Sequence, residues 1–169
     1  KATIAGNFIA GYVSGVYLYG NAQNLLFPPN RGIVIDSNVI LTQDSLRFMP
    51  WAYGIQSDAF GDVIFNNLIV TPVTYRFVGI AVRGQDFWVE SNTVIPRQVV
   101  RQSYGVTWRS VGIGFGNSTA GSTAVANRTY GMDVGIGPEQ PYQFTPHRVI
   151  SHFSTNDVLA IDPSGLMGN

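Results

Sequence analysis

Cysteine is absent from this chain of 169 residues, which excludes disulfide staples, thiolate nucleophiles and cysteine-ligated metal. Histidine is nearly absent too. His147 and His152 alone are too few for a structural zinc site, and neither sits near a serine in a nucleophilic arrangement. Charge is scarce: 12% of residues are charged, and ten basic and ten acidic side chains cancel to a net charge of zero. Such a chain has no electrostatic basis for capturing nucleic acid or an acidic membrane surface. No apolar run reaches bilayer length, so no transmembrane helix is expected. Helical periodicity is nearly absent, and so is the set of two-residue hairpin turns that an antiparallel sandwich or barrel requires.

What is present is apolar material, 45% of the chain, and a repeated phrase. Ile4-Ala5-Gly6-Asn7-Phe8-Ile9 returns as Ile35-Asp36-Ser37-Asn38-Val39-Ile40, as Ile64-Phe65-Asn66-Asn67-Leu68-Ile69 and as Val89-Glu90-Ser91-Asn92-Thr93-Val94. The asparagines lie 31, 29 and 25 residues apart. A polar residue fixed between apolar ones at a nearly regular period marks a solenoid. The asparagine falls where one short strand turns into the next. There its amide can bond the coil above and the coil below, and asparagine tolerates the left-handed backbone of such corners.

A second phrase follows each first one: Gly15-Val16-Tyr17-Leu18, Gly54-Ile55-Gln56-Ser57, Gly79-Ile80-Ala81-Val82 and Gly112-Ile113-Gly114-Phe115. Alternation along a strand turns Val16, Ile55, Ile80 and Ile113 to the core, with Leu18, Ser57, Val82 and Phe115 two places on. Tyr17, Gln56, Ala81 and Gly114 are then expected outside. The pattern fades after residue 116. Ala124-Val125-Ala126-Asn127 is a weak fifth match, Gly135 to Tyr142 reads as a long loop, and Phe153-Ser154-Thr155-Asn156-Asp157-Val158 is a sixth rung. We therefore expect regular coils over 1–116, and irregular coils with a C-terminal cap of the same domain over 117–169. No capping element precedes Ala2-Thr3-Ile4, and no signal peptide is seen, which suggests part of a longer chain.

This two-phrase repeat resembles the right-handed, pectate-lyase-like parallel β-helix superfamily, over residues 2–116 most closely. The resemblance implies an all-β, right-handed parallel β-helix of about five to six coils. It also implies one of that superfamily's roles: polysaccharide lyase, glycoside hydrolase, sugar epimerase, phage tailspike or non-catalytic adhesin. The Asp-Pro-His-Asp run of the mannuronan epimerases and the clustered acids of the pectate lyase calcium site are both missing. Asp58 and Asp62 are too few for an oxygen cage, so no cofactor is expected and calcium has little support.

The variable stretches 41–53, 71–78 and 96–111 occupy one place in successive coils. Stacking must bring them out along one edge. They hold Asp44, Arg47, Phe48, Trp51 and Tyr53, then Tyr75, Arg76 and Phe77, then Arg97, Arg101, Tyr104, Trp108 and Arg109. Flat rings suit sugar faces, and arginine forks suit hydroxyls or carboxylates. From these, Arg47, Trp51, Tyr53, Tyr75, Arg76, Arg101, Tyr104 and Trp108 are candidate substrate-binding residues. The same side chains also fit packing among themselves or against another subunit.

Four residues are candidates for chemistry. Asp36 and Glu90 share an outward position two rungs apart, with Phe65 between, so their backbones are roughly 9–10 Å apart at normal strand spacing. An inverting glycosidase needs its carboxylates about 6.5–9.5 Å apart. Surface acids that merely discourage edge pairing would look the same. Asp58 and Arg83 share another position on adjacent rungs, where they could handle a uronate or form a plain ion pair worth about 0–1 kcal/mol. Asn117 and Asn127 begin glycosylation triplets that matter only on a secretory route.

The expectation is a polysaccharide-directed module, a hydrolase or lyase if catalytic, extracellular or virion-associated. Its partners would be a polysaccharide and the rest of a longer chain or another subunit, with homo-oligomers allowed and no nucleic acid or membrane. The alternative is a non-catalytic tailspike-like stalk or adhesin whose aromatic loops meet a neighbour.

Overall fold

The computed structural model describes residues 2–12, 14–18, 32–43, 52–71, 77–97, 110–116, 121–132, 134–138, 153–155 and 158–160. Every regular element among them is a β-strand. The first coil is β1 (Thr3–Ala5), β2 (Phe8–Tyr12) and β3 (Ser14–Leu18). The second is β4 (Val34–Asp36), β5 (Val39–Thr42) and β6 (Ala52–Ser57), and the third β7 (Val63–Phe65), β8 (Leu68–Thr71) and β9 (Phe77–Val82). The fourth is β10 (Trp88–Glu90), β11 (Thr93–Pro96) and β12 (Val111–Phe115), and the fifth β13 (Thr123–Val125), β14 (Arg128–Tyr130) and β15 (Val134–Pro138). The first strands of all coils pair in parallel as sheet A, the second as sheet B and the third as sheet C. Among the described residues the chain is thus a parallel β-helix of five coils.

Its core is a set of stacked columns. Ile35, Ile64, Val89 and Ala124 of sheet A, Ile40, Ile69 and Val94 of sheet B, and Ile55, Ile80 and Ile113 of sheet C are all fully buried. Each buried isoleucine or valine contributes about 1.5–3 kcal/mol relative to leaving it in water.

The corner between sheets A and B is the asparagine ladder. Asn7, Asn38, Asn67 and Asn92 each donate the backbone N–H and Nδ2 to Oδ1 of the next asparagine, at 2.9–3.0 Å throughout, as far as Asn127. Nδ2 of Asn38, Asn67, Asn92 and Asn127 also reaches back to the carbonyls of Ile4, Ile35, Ile64 and Val89 in the preceding coil. Asn38, Asn67, Asn92 and Asn127 are buried, and this network replaces the water they lose. The left-handed residue at the corner is not the asparagine but the one before it: Gly6, Ser37, Asn66, Ser91 and Ala126 have φ of 66°, 54°, 56°, 54° and 52°. Reversing there turns the preceding N–H along the stack, so that Gly6, Ser37, Asn66 and Ser91 donate to the carbonyls of Asp36, Phe65, Glu90 and Val125.

The glycine phrase has a packing cause. A Cβ on Gly15, Gly54, Gly79 or Gly112 would lie 2.3–2.5 Å from Ile40, Ile69, Val94 or Thr129 of sheet B, and 2.4–2.7 Å from the glycine carbonyl of the next coil. Glycine is what lets sheet C approach sheet B this closely. The corner between sheets C and A uses other groups. Asp62, fully buried, accepts the Ile33 N–H at 2.8 Å and the Ser57 hydroxyl at 2.7 Å, while two coils on Ser122 accepts the Phe87 N–H at 3.2 Å. Burial pushes the Asp62 carboxyl above its ordinary range, against the lowering effect of those two bonds.

Three expectations need correction. Gln56, Ala81 and Gly114 do face outward but are buried, because Val78, Ala81, Val111 and Val134 form a second apolar cluster with Tyr53 on the outside of sheet C. The stretch expected as loop begins as strand: Val134–Pro138 is a strand in which Ile136 pairs with Ile113, and the rest of that stretch lies outside the described residues. The sixth phrase is not a sixth parallel rung. Its strands β16 (Phe153–Thr155) and β17 (Val158–Ala160) run antiparallel to β14 and β13, closing that end with a reversed strand pair.

Candidate functional site

The outer face of sheet A carries the most distinctive exposed chemistry. The inward Ile35, Ile64 and Val89 force their neighbours outward, giving one column of Thr3, Val34, Val63, Trp88 and Thr123 and another of Ala5, Asp36, Phe65, Glu90 and Val125. Asp36 and Glu90 therefore flank Phe65 as the register predicts. Trp88 is 44% exposed, and its indole N–H donates to Glu90 Oε2 at 2.8 Å. The Ser37 hydroxyl donates to Asp36 Oδ1 at 2.6 Å. Phe65 is half-buried between the acids. No outward residue of these columns is a cation. The face is an apolar, ring-bearing floor with carboxylate acceptors two coils apart.

Asp58 and Arg83 lie elsewhere, at the exit of sheet C. Their nearest approach is 3.8 Å, from Arg83 Nη1 to Asp58 Oδ1. Asp58 also accepts from the Tyr17 hydroxyl at 3.2 Å and from Gln56 Nε2 at 3.3–3.4 Å. Arg83 donates through Nη2 to the Tyr53 hydroxyl at 3.1 Å and sits 5.6 Å from that ring's centroid. Tyr53 belongs to β6 and not to a loop, as does Phe77 to β9, where it is buried. The structure thus joins Tyr53 to Asp58 and Arg83, and sets Asp36 and Glu90 on a different sheet. Asp58 spends its lone pairs on partners of its own sheet, the arrangement of a stacked surface network.

Arg47, Trp51, Tyr75, Arg76, Arg101, Tyr104 and Trp108 lie outside the described residues. The stretches that hold them all join sheet B to sheet C, between β5 and β6, β8 and β9, and β11 and β12. Asp62 and Asp58 do not form a metal cage: Asp62 points inward to Ser57 and Ile33, and among the described residues no three acidic or histidine side chains gather to hold an ion. Asn127 is buried in the ladder, which removes its side chain from glycan attachment in the folded protein.

Sequence reasoning passed over Trp88 and Tyr17. The signal for Trp88 was available, since it stands two places before Glu90 on a strand and so shares its face. Tyr17 was placed outside, and it is 51% exposed, but its bond to Asp58 needed the coil-to-coil register of Tyr17 with Gln56.

The fold and these faces define a parallel β-helix solenoid with a lateral acidic and aromatic surface. No family model, no curated protein and no solved structure matches the chain.

Proposed function

We propose that this chain is a polysaccharide-directed β-helix module of the right-handed, pectate-lyase-like kind, and that it holds its glycan on the outer face of sheet A. The observation that carries the reading is the grouping of exposed Trp88 and half-buried Phe65 with Asp36 and Glu90. Sugar rings present apolar faces that stack on flat side chains, and hydroxyls that donate to carboxylates. A face with two acids and no cation repels uronates, so the ligand is a neutral or amino sugar polymer, laid along the solenoid axis. This reading goes with an extracellular or virion-associated protein.

Binding is favoured over hydrolysis because Phe65 fills the rung between the acids, where an inverting enzyme keeps room for water. The test is affinity electrophoresis of the whole chain through neutral, amino and acidic polysaccharides. Retardation by a neutral or amino polymer is expected, weakened about tenfold by Trp88→Ala. Retardation by acidic polymers alone, or equal retardation of Trp88→Ala, would sink the proposal. If the retarding polymer is also cleaved, and Asp36→Asn or Glu90→Gln abolishes cleavage, the pair is catalytic.

A further inference from the structure

The outer face of sheet B plays no part in the glycan reading. Ile40, Ile69 and Val94 point into the core, so alternation turns their strand neighbours outward. In coils two to four these are Val39, Leu41, Leu68, Val70, Thr93 and Ile95, stacked in two columns by the parallel register. Each has a coil on either side, and each is partly exposed. Outward apolar residues of sheet C, such as Ala81, are by contrast buried.

Thr93 apart, these six side chains are aliphatic, and none is charged. A sugar polymer would find no carboxylate or amide there for its hydroxyls. Over five rungs of about 4.8 Å and three residues of about 3.3 Å, the face has an outline of roughly 250 Å². Monomeric proteins seldom expose contiguous apolar patches beyond a few hundred Å².

The two columns are self-complementary about their middle rung. The first runs Phe8, Val39, Leu68, Thr93 and Arg128. The second runs Ala10, Leu41, Val70 and Ile95, with Tyr130 beyond them on the same side of β14 as Arg128. A second copy turned about a twofold axis along β8 sets Leu68 on Leu68 and Val70 on Val70, and Leu41 on Ile95. Arg128 then lies over the Phe8 ring, a cation on an aromatic face, and bulky Tyr130 meets small Ala10. Both faces repeat at the same rung spacing, so the side chains of one copy fit between those of the other.

Charge selects this axis over the alternative. Arg128 is the only charged residue in the two columns. A twofold along the solenoid axis would put both Arg128 side chains on one rung. The twofold along β8 holds them four rungs apart, about 19 Å, well beyond the roughly 8 Å screening length of physiological salt.

We propose that the outer face of sheet B is the interface of a homodimer in which two stacks lie face to face with their solenoid axes antiparallel. Its outline is well below the roughly 800 Å² per partner of a standard interface, so the dimer is weak and concentration-dependent. The acidic faces of sheet A stay clear of the contact.

Sedimentation equilibrium of the whole chain over a hundredfold range of concentration tests this. The average mass should climb from one chain towards two and no further. Leu68→Lys sets two ammonium groups against each other on the axis and should weaken the dimer at least tenfold, with circular dichroism unchanged. The chain has no cysteine, so single cysteines map the geometry without background. With a short bis-maleimide, Leu68→Cys should cross-link to itself. Ala10→Cys should cross-link to Tyr130→Cys in a mixture, and neither should cross-link to itself. If Leu68→Lys unfolds, the cysteine map alone decides. A chain that stays monomeric at every concentration would overturn the proposal. So would a dimer that folded Leu68→Lys leaves as strong, or one in which Ala10→Cys cross-links to itself.

Discussion

At the scale of single residues, position in the coil overrides residue type. Ala126 adopts a left-handed φ of 52° where the other coils use glycine, serine or asparagine. A Cβ with no polar group to bond locally makes that conformation cost about 1–2 kcal/mol. Ala126→Gly is therefore expected to stabilise the protein by about 0.5–1 kcal/mol, since glycine's greater loss of chain entropy offsets part of the relief. A thermal melt reads the shift, and a lower melting temperature would contradict the assignment of strain.

Asp62 makes the converse case, a carboxylate held where water is excluded. Its raised folded pKa means that the folded state keeps a proton which the unfolded chain has lost. Its contribution to stability is best below its ordinary value of 3.8, declines as pH rises from there to the raised folded value, and stays low above it. Asp62→Asn keeps an acceptor for Ile33 and offers a donor to Ser57. The variant should gain on the parent as pH rises through that window, read by urea unfolding at a series of pH values. A constant difference at every pH would rule out ionisation as the cause.

At the scale of elements, the ladder was visible in the sequence because one residue type at one place does one job in every coil. The corners between sheets C and A were not, because Asp62 and Ser122 perform the same task with different side chains in alternate coils. The strand from Val134 was read as loop, although Gly135-Ile136-Gly137 copies Gly112-Ile113-Gly114. The neighbouring prolines and glutamine hid it, and only pairing with β12 reveals it. The reversed strands resist sequence reading for another reason: alternation along a strand is the same in either direction. Of the candidate site, the Asp36, Phe65 and Glu90 register was legible and the role of Tyr53 was not, since Arg83 over its ring is a contact between coils.

The ladder's worth depends on where a rung sits. Asn67 accepts from Asn38 and donates to Asn92, Ile35 and Phe65 in a buried site. Asn67→Ala strands several buried groups and is expected to cost about 3–5 kcal/mol. Asn7→Ala, at the exposed end, should cost about 1 kcal/mol or less. Chemical denaturation of the two variants checks the contrast, and equal losses would mean that the ladder is not stabilised by burial.

At the scale of the whole molecule, each coil leans on its two neighbours, so stability is a sum of local terms and nearest-neighbour interfaces. Among the described residues, the first coil has a neighbour on one side only. Amide hydrogen exchange should therefore be fastest in β1 and β2, and slowest in β7, β8, β10 and β11. Uniform protection across the coils would show that the stack opens as a single unit.

The asparagines are separated by 31, 29, 25 and 35 residues, yet their hydrogen bonds stay at 2.9–3.0 Å. Much of this variation in length falls between sheet B and sheet C, where the connection runs from the single residue between β2 and β3 to the 97–110 stretch before β12. Coil geometry and insert length are thus independent variables in this protein. Foreign segments grafted at that corner would be carried on adjacent rungs, with their spacing set by the backbone and their sequences free to diverge.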